Sequence, residues 1–439
     1  MTRAMLPLFL ALSGCASAGA QADAPTDPAR LAAELAELHG RFREEAITGR
    51  RFTHRELWEA LGPRVDGAAG MEREEVGRSV EGRPLFAVRY GRGATRVLLW
   101  SQMHGNESTA TMALADVLRF LAESPEHPLA RRLRDRLTVV AVPMLNPDGA
   151  ERFQRRNALG IDVNRDARAL ATPEGRALRE LQRTFRPDFG FNLHDQDVRA
   201  RVGTSDRLAA IALLAPAFDE AGSDNPVRAR AKRVAAAVRG AVEPLVAGHV
   251  TRYDDTYSPR AFGDGMQRWG TSTVLIESGG WRDDPEKQYL RRVNFVALLS
   301  ALDAIATGAY AAADPAAYES LPENGRQVND LLVRGGTLVL PGAAPFRADL
   351  AVDYADAPAL AGGRVVDVGD LAELAARDTL DAAGLFLHPA PEMLAADSLG
   401  RAALATGAPA RFTVRRGPEP ASETVWTVDG GAARRAGAP

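Results

Sequence analysis

The sequence contains a single cysteine, Cys15, among its 439 residues. One cysteine cannot form an intrachain disulfide, and it cannot supply the thiolates of a cysteine-based zinc site. Any metal that the chain binds must therefore use histidine and carboxylate ligands. The length allows two or three domains at roughly 150 residues each, so a small disulfide-stapled fold is also excluded.

The chain has no excess of basic charge, because 54 Lys+Arg and 57 Asp+Glu give a formal net charge of −3. Proteins that bind nucleic acid through its phosphates carry a clear basic excess. We therefore expect no nucleic-acid partner. Hydrophobic residues make up 46% of the chain and charged residues 25%, which is an ordinary globular composition.

Long apolar runs are also scarce, and the most informative one lies near the N-terminus. The run from Met5 to Leu12 is too short to span a bilayer. Together with Ser13-Gly14-Cys15 it resembles a bacterial lipoprotein signal, residues 1–14, that ends at a lipidated Cys15. The alternative is a plain secretory signal cut after Ala22. Both interpretations predict an exported protein, and the first predicts a periplasmic or outer-membrane lipoprotein that contacts the membrane only through its lipid anchor.

Short apolar runs alternate with segments of helical periodicity through most of the chain. The predicted strands are residues 97–100, 137–145, 189–193 and 272–276, and the predicted helices are residues 28–38, 112–120, 227–246 and 286–305. Residues 208–214 fit either a strand or a helix. The alternation predicts an α/β fold with a mostly parallel, twisted sheet and helices on both faces.

The composition changes at several points along the chain. Residues 15–27 are rich in Ala, Gly and Pro and predict a tether, followed by a main domain over residues 28–310. Residues 311–327 predict a linker. Residues 328–439 contain short strands broken by Gly and Pro, which predicts a small β-rich domain.

This last segment resembles the small β-sandwich that flanks the barrel of amidohydrolases such as dihydroorotases. The resemblance lies in Leu331–Thr337 and Pro345–Leu350. The catalytic part of those enzymes is missing, since the sequence has no His-x-His motif. We therefore expect an accessory domain that serves packing, substrate positioning or surface binding.

Two histidines stand where strands are predicted to end. His104 follows the strand at residues 97–100 and lies three residues before Glu107, and His194 ends the strand at residues 189–193. The carboxyl ends of strands in an open α/β sheet face one crevice, so these side chains could meet there. Two histidines and a glutamate leave one open position on a tetrahedral zinc ion, as in catalytic sites. We expect one Zn²⁺ per chain.

Further motifs make a family resemblance specific. His104-Gly-Asn-Glu107 is followed in order by Asn146-Pro-Asp-Gly149, Asp162-Val-Asn164-Arg165, His194 and Glu277. Over residues 70–305 the chain thereby resembles the zinc carboxypeptidases related to carboxypeptidase A, whose zinc ligands are two histidines and a glutamate. Asn106 departs from the arginine of the pancreatic enzymes, so contacts upstream of the cleaved bond are expected to differ.

The resemblance implies a role for each matching residue. Asp162 would accept a hydrogen bond from His104 and fix its tautomer. Asn164 and Arg165 would bind the terminal carboxylate of the substrate, because a guanidinium group matches two carboxylate oxygens at once.

Two residues are expected to act on the reacting groups. Arg155 would stabilise the oxyanion, although the neighbouring Arg156 could be the one that points inward. Glu277 would serve as the general base.

The tyrosine that caps the substrate is Tyr253 or Tyr257, with Tyr257 preferred. Asp264 and Gln267 are candidates for lining the pocket of the last side chain.

These residues predict a zinc metallopeptidase that removes C-terminal residues from peptides with a free terminal carboxylate. One alternative is an N-acyl amino acid deacylase of the aspartoacylase-like type, because His-Gly-Asn-Glu also occurs there. A cell-wall peptide hydrolase is another. A surface binding module whose peptidase domain has lost activity is a third, although the ligands, the base and the carboxylate clamp are all present.

Overall fold

The computed structural model describes residues 27–396, 398 and 400–437. Cys15, the predicted signal and the predicted tether up to residue 26 lie outside the described residues. Within the described part of the chain, no helix has both the length and the apolar content needed to cross a bilayer.

A mixed sheet lies at the centre of the main domain. The strands of this part, in chain order, are β1 (Met71–Arg78), β2 (Pro84–Gly91), β3 (Thr95–Ser101), β4 (Leu137–Val142), β5 (Phe189–Asp195), β6 (Arg201–Val202), β7 (Ile211–Leu214), β8 (Val250–Arg252) and β9 (Ser272–Ser278). Apart from β6 they form one sheet in the order β1-β2-β4-β3-β5-β9-β7-β8. Strands β4, β3, β5 and β9 run parallel, whereas β1, β2 and β7 make the antiparallel pairings. This confirms the predicted α/β fold.

Helices cover both faces of this sheet. They are α1 (Pro28–Phe42), α2 (His54–Val65), α3 (Thr109–Glu123), α4 (Pro128–Arg136), α5 (Pro147–Glu151), α6 (Pro173–Phe185), α7 (Pro226–Val242), α8 (Phe262–Arg268), α9 (Gln288–Thr307) and α10 (Ala316–Glu319). On β3, Val97 and Leu99 enter the apolar core with α1, α3, α7 and α9, whereas Leu98 and Trp100 enter the core with α6 and α8. Successive side chains of a strand point to opposite faces, so a continuous apolar run buries both.

The segment predicted as a linker packs against the main domain. Tyr318 on α10 is buried, and its hydroxyl accepts a hydrogen bond from the Ala215 N–H at 3.0 Å. Next, β10 (Asn324–Gly325) pairs with β6.

The C-terminal module, residues 328–437, is built from short strands. They are β11 (Asn329–Arg334), β12 (Thr337–Leu338), β13 (Phe346–Arg347), β14 (Asp349–Asp356), β15 (Ala361–Gly369), β16 (Ala376–Asp381), β17 (Phe386–Pro389), β18 (Leu394–Ala396), β19 (Ala402–Leu404), β20 (Arg411–Arg415), β21 (Thr424–Asp429) and β22 (Arg434–Arg435). One sheet has the order β15-β14-β11-β16 and another the order β13-β12-β17-β20-β21-β22. Side chains such as Leu331, Val352 and Phe412 from both sheets share one apolar core.

Candidate metal centre and active site

Three candidate metal ligands meet at the carboxyl ends of β3 and β5. His104 follows β3, Glu107 precedes α3, and His194 lies near the end of β5, which runs parallel to β3. The two carboxylate oxygens of Glu107 lie 2.7 Å from Nδ1 of His104 and 2.7 Å from Nδ1 of His194. All three residues are buried, and their candidate ligand atoms lie within 4.8 Å of one another.

Backbone packing between two sequence motifs shapes this loop. Gly105 lies against the turn at Gly149, so closely that a Cβ at Gly105 would be 2.0 Å from the Gly149 carbonyl carbon. The side chain of Asn146 donates to the Met103 carbonyl at 3.2 Å and accepts from the Gly149 N–H at 2.9 Å. The Asn-Pro-Asp-Gly turn therefore supports the loop that carries His104 and Glu107.

The charge state of His104, Glu107 and His194 is compatible with binding a cation. Burial lowers the pKa of His104, but Glu107 and Asp162 outweigh it and raise that pKa to about 9. Burial raises the pKa of Glu107, but the imidazoles of His104 and His194 hold it well below its usual range. The proton that a histidine shares with such a carboxylate can be released when a metal ion binds, because the imidazole nitrogen must be deprotonated to serve as a ligand. Two imidazole nitrogens and one carboxylate also form a zinc donor set, so the residues present fit the metal.

Polar side chains behind the histidines orient their rings. Nε2 of His104 lies 2.9 Å from Oδ1 of Asp162, and the Asn164 side-chain nitrogen lies 3.4 Å from Nε2 of His194. Burial raises the pKa of Asp162, but His104 and Arg155 together lower it below its usual value. A charged Asp162 keeps the other ring nitrogen, Nδ1 of His104, directed toward Glu107.

The structure distinguishes the two neighbouring arginines. Arg155 faces the site, where Nη1 donates to Oε1 of Glu107 at 3.0 Å and Nε donates to Oδ2 of Asp162 at 3.0 Å. Arg156 is exposed and donates to the Gly160 carbonyl at 3.0 Å. Arg155 is therefore the one that can reach a bound carbonyl.

Glu277 ends the apolar part of β9, directly beside His194 on β5. Its side chain is buried, and among the described residues no group donates a hydrogen bond to its Oε2. Burial, reinforced by the charge of Glu107, raises the pKa of Glu277 well above its usual value. A buried carboxylate with a free oxygen beside a metal site can accept and return a proton.

These groups open into one cavity of about 750 Å³. The predicted residues that line it are His104, Glu107, Arg155, Asn164, Arg165, Asp264 and Glu277. A cavity of this size is in the range that takes a ligand of drug-like size.

The structure places Tyr253, and not Tyr257, in this cavity. The nearby charge of Glu277 raises the pKa of Tyr253, and burial raises it further. The Tyr257 hydroxyl instead lies 3.4 Å from Nη1 of Arg268. Tyr253 thus lines the cavity and the preferred Tyr257 does not, and the role of either tyrosine as the substrate cap stays a prediction. Gln267 also lies elsewhere, with its amide donating to the Pro216 carbonyl at 3.1 Å.

Several cavity residues had no motif that could reveal them. Arg50 and Arg51 come from the segment before α2, and Asp356 comes from the C-terminal module. Lys287 lies 3.4 Å from Oδ2 of Asp195, next to His194. These positions are brought together by tertiary packing, so spacing in the sequence does not predict them.

Two histidines and a glutamate beside the ends of parallel strands, with a second buried glutamate next to them, fit a zinc site of the catalytic type. Residues 69–205 match the family model described as zinc carboxypeptidase. This match confirms, for that segment, the resemblance to zinc carboxypeptidases. The C-terminal module lies outside it, and its resemblance to amidohydrolases stays a prediction.

Individual relatives are similar over parts of the chain. A probable carboxypeptidase 2 of Trichophyton verrucosum is 33% identical over 100 residues, which cover 23% of this chain and 19% of that protein. Carboxypeptidase D of Rattus norvegicus is 30% identical over 123 residues, 24% of this chain and 9% of that protein. The chain thus spans about a fifth or less of these relatives. A metallo-carboxypeptidase structure from Burkholderia cenocepacia superposes with a TM-score of 0.46 at 21% identity, covering 58% of this chain and 70% of that chain.

Proposed function

We propose that the chain is a zinc-dependent metallocarboxypeptidase that hydrolyses the C-terminal peptide bond of peptides. The observation that carries the proposal is the cluster of His104, Glu107 and His194 beside the buried carboxylate of Glu277. His104, Glu107 and Glu277 line one cavity. The family match over residues 69–205 supports the same chemistry.

The metal would be held by His104, Glu107 and His194, one ion per chain. Zinc bound there supplies a Lewis acid that polarises a carbonyl and lowers the pKa of water. Asp162 holds the His104 ring in the orientation that leaves Nδ1 free for a ligand bond.

The remaining side chains set the register and move the proton. Asn164 and Arg165 bind the terminal carboxylate, and this places the last peptide bond beside Glu277. Glu277 takes a proton from the attacking water and returns it to the leaving amine, so that the peptide bond breaks into a carboxylate and an amine. Arg155 donates to the oxygen of the cleaved carbonyl as negative charge develops on it. Tyr253 lines the cavity and would contact the bound residue from its wall.

The place of action is proposed from the N-terminal sequence. The apolar run before Cys15 supports export and lipidation at that cysteine, and therefore a periplasmic or outer-membrane lipoprotein. Incorporation of labelled palmitate into the wild type, but not into a Cys15→Ala variant, would test the anchor.

The activity is tested by incubating the purified protein with a peptide library and reading the products by mass spectrometry. We expect products that lack one C-terminal residue, and no products from peptides with amidated C-termini. N-acyl amino acids are assayed in parallel. Their hydrolysis without any peptide cleavage would replace the proposal with the deacylase alternative.

A further inference from the structure

The C-terminal module is fixed to the main domain beside the active-site cavity. Val198, in the loop after β5, belongs to the apolar core of the module. The next residue, Arg199, lies 2.7 Å from Asp197 in its own loop and 3.6 Å from both Asp330 and Asp353 of the module. An apolar contact and a partly buried ion network join the two parts at one place.

A second contact between the two parts lies in the wall of the cavity. Asp356, at the end of β14, accepts hydrogen bonds from Arg50 and, at 2.6 Å, from Arg51. Both guanidinium groups also lie over the Phe153 ring, 5.3 Å and 4.4 Å from its centre. We call Arg50, Arg51 and Asp356 the Asp356 clasp. The Arg50 carbonyl accepts a hydrogen bond from the Ser108 hydroxyl at 2.6 Å, so the clasp adjoins the loop that carries Glu107.

The module supplies part of the cavity wall at this point. Tyr354, Ala355, Ala357 and Pro358 line the same cavity as His104 and Glu277. These residues belong to the end of β14 and to the turn between β14 and β15. The module is thus part of the proposed substrate-binding site.

The direction of a bound peptide follows from the carboxylate clamp. Asn164 and Arg165 hold its C-terminus, so the residues upstream of the cleaved bond must extend into the remaining part of the cavity. There they meet the clasp, Phe153 and the β14–β15 turn. Asn106 lines the same cavity.

We propose that the C-terminal module, through the Asp356 clasp and the β14–β15 turn, restricts the enzyme to short peptides. Longer peptides and folded proteins would have to displace the clasp before their C-terminus reached Glu277. This inference rests on the proposed carboxypeptidase function and adds its substrate class.

The test uses the full chain and a series of N-acetylated peptides, from dipeptide to decapeptide, that share one C-terminal pair. For the wild type, we expect kcat/KM of the decapeptide to be at least about tenfold below that of the tripeptide, a difference of about 1.4 kcal/mol. In Asp356→Ala the ratio of kcat/KM for the decapeptide to kcat/KM for the tripeptide should rise to near one, because the cavity wall can then open. Arg51→Ala should act in the same direction, and it is safer for folding because the Arg51 side chain is 60% exposed.

The matched control is Asp429→Ala, which removes an ion pair with Arg411 of 2.7 Å in the same module, outside the cavity. It should keep the wild-type length dependence. Equal cleavage of all lengths by the wild type would overturn the length restriction and leave the proposed function intact, as would unchanged ratios in both folded clasp variants. Failure to cleave any peptide would overturn the proposed function, and the restriction with it.

Discussion

At the scale of single residues, Glu107 and Glu277 show how position sets the chemistry of a carboxylate. Both are buried in the same cavity, and burial raises the pKa of each. For Glu107 the imidazoles of His104 and His194 outweigh burial and keep the group charged, whereas for Glu277 burial and the charge of Glu107 outweigh the opposing charge of His104. The first is therefore suited to bind a metal and the second to accept a proton.

Replacing Glu277 by glutamine should separate these roles. We expect Glu277→Gln to lower kcat by about 10²- to 10⁴-fold, because the amide cannot accept the proton of water. Zinc content, measured by elemental analysis, should stay at the wild-type value. The exposed Glu59→Gln serves as the control. Wild-type turnover in Glu277→Gln would remove Glu277 from the mechanism.

Asp264 predicts a pH-dependent preference for the C-terminal residue. Burial raises its pKa to about 6, against the opposing hydrogen bonds of backbone N–H groups and the charge of Arg165. The carboxyl group is neutral below that pH and negative above it. As the pH rises through about 6, kcat/KM for a peptide that ends in lysine should therefore increase relative to kcat/KM for one that ends in leucine. We expect the ratio of kcat/KM for the two peptides to rise roughly tenfold between about pH 5 and about pH 7. Asp264→Asn should give a flat ratio, and a ratio that rises equally in this variant would contradict the assignment.

At the scale of elements, strand ends were predictable because their signal is local. An apolar run followed by a polar residue marks the ends of β3, β5 and β9, and these carry His104, His194 and Glu277. Helix α2 does not follow from the sequence pattern. Thr53 and Glu56 form a capping box at its start, but Pro63 inside it is typical of a helix end. Helix α8 was missed because it is short and contains Gly263 and Gly265.

Helices α3 and α9 are joined by a contact that no local pattern reveals. Asp116 and Arg291 are fully buried, and their side chains form a two-bond ion pair. Asp116→Ala should lower the free energy of unfolding by about 3–5 kcal/mol, because it leaves the Arg291 charge buried without its partner. Urea unfolding measures this loss. Glu59→Ala, which breaks the exposed Arg55 pair, should change stability by less than about 1 kcal/mol. Similar small effects for both variants would show that the buried pair contributes little.

At the scale of the whole molecule, the metal site joins segments that are far apart in the chain, so metal binding should stabilise the fold. Zinc at about 100 times its dissociation constant adds about 2.7 kcal/mol to a state that alone can bind it. We expect 1,10-phenanthroline to abolish activity and lower the Tm by several degrees, and added zinc to restore both. His194→Ala should show no zinc-dependent shift in calorimetry. A Tm that ignores zinc in the wild type would argue against the site.

The two parts of the molecule also differ in how far the sequence describes them. The main domain carries motifs at fixed spacing, whereas the C-terminal module shows only strand-like runs and turns. Its position beside the cavity rests on Arg199 and on Asp356, whose partners Arg50 and Arg51 lie about three hundred residues away in the chain.

The sequence by itself predicted the central parallel strands, and at their ends the candidate ligands His104, Glu107 and His194 and the candidate base Glu277, because each of these predictions depends on a few neighbouring residues at the end of an apolar strand. The tertiary structure decided which of two arginines and which of two tyrosines enters the cavity, and that the module forms part of its wall. Those outcomes depend on loop paths and on contacts between distant segments, and the spacing of residues along a chain does not constrain either.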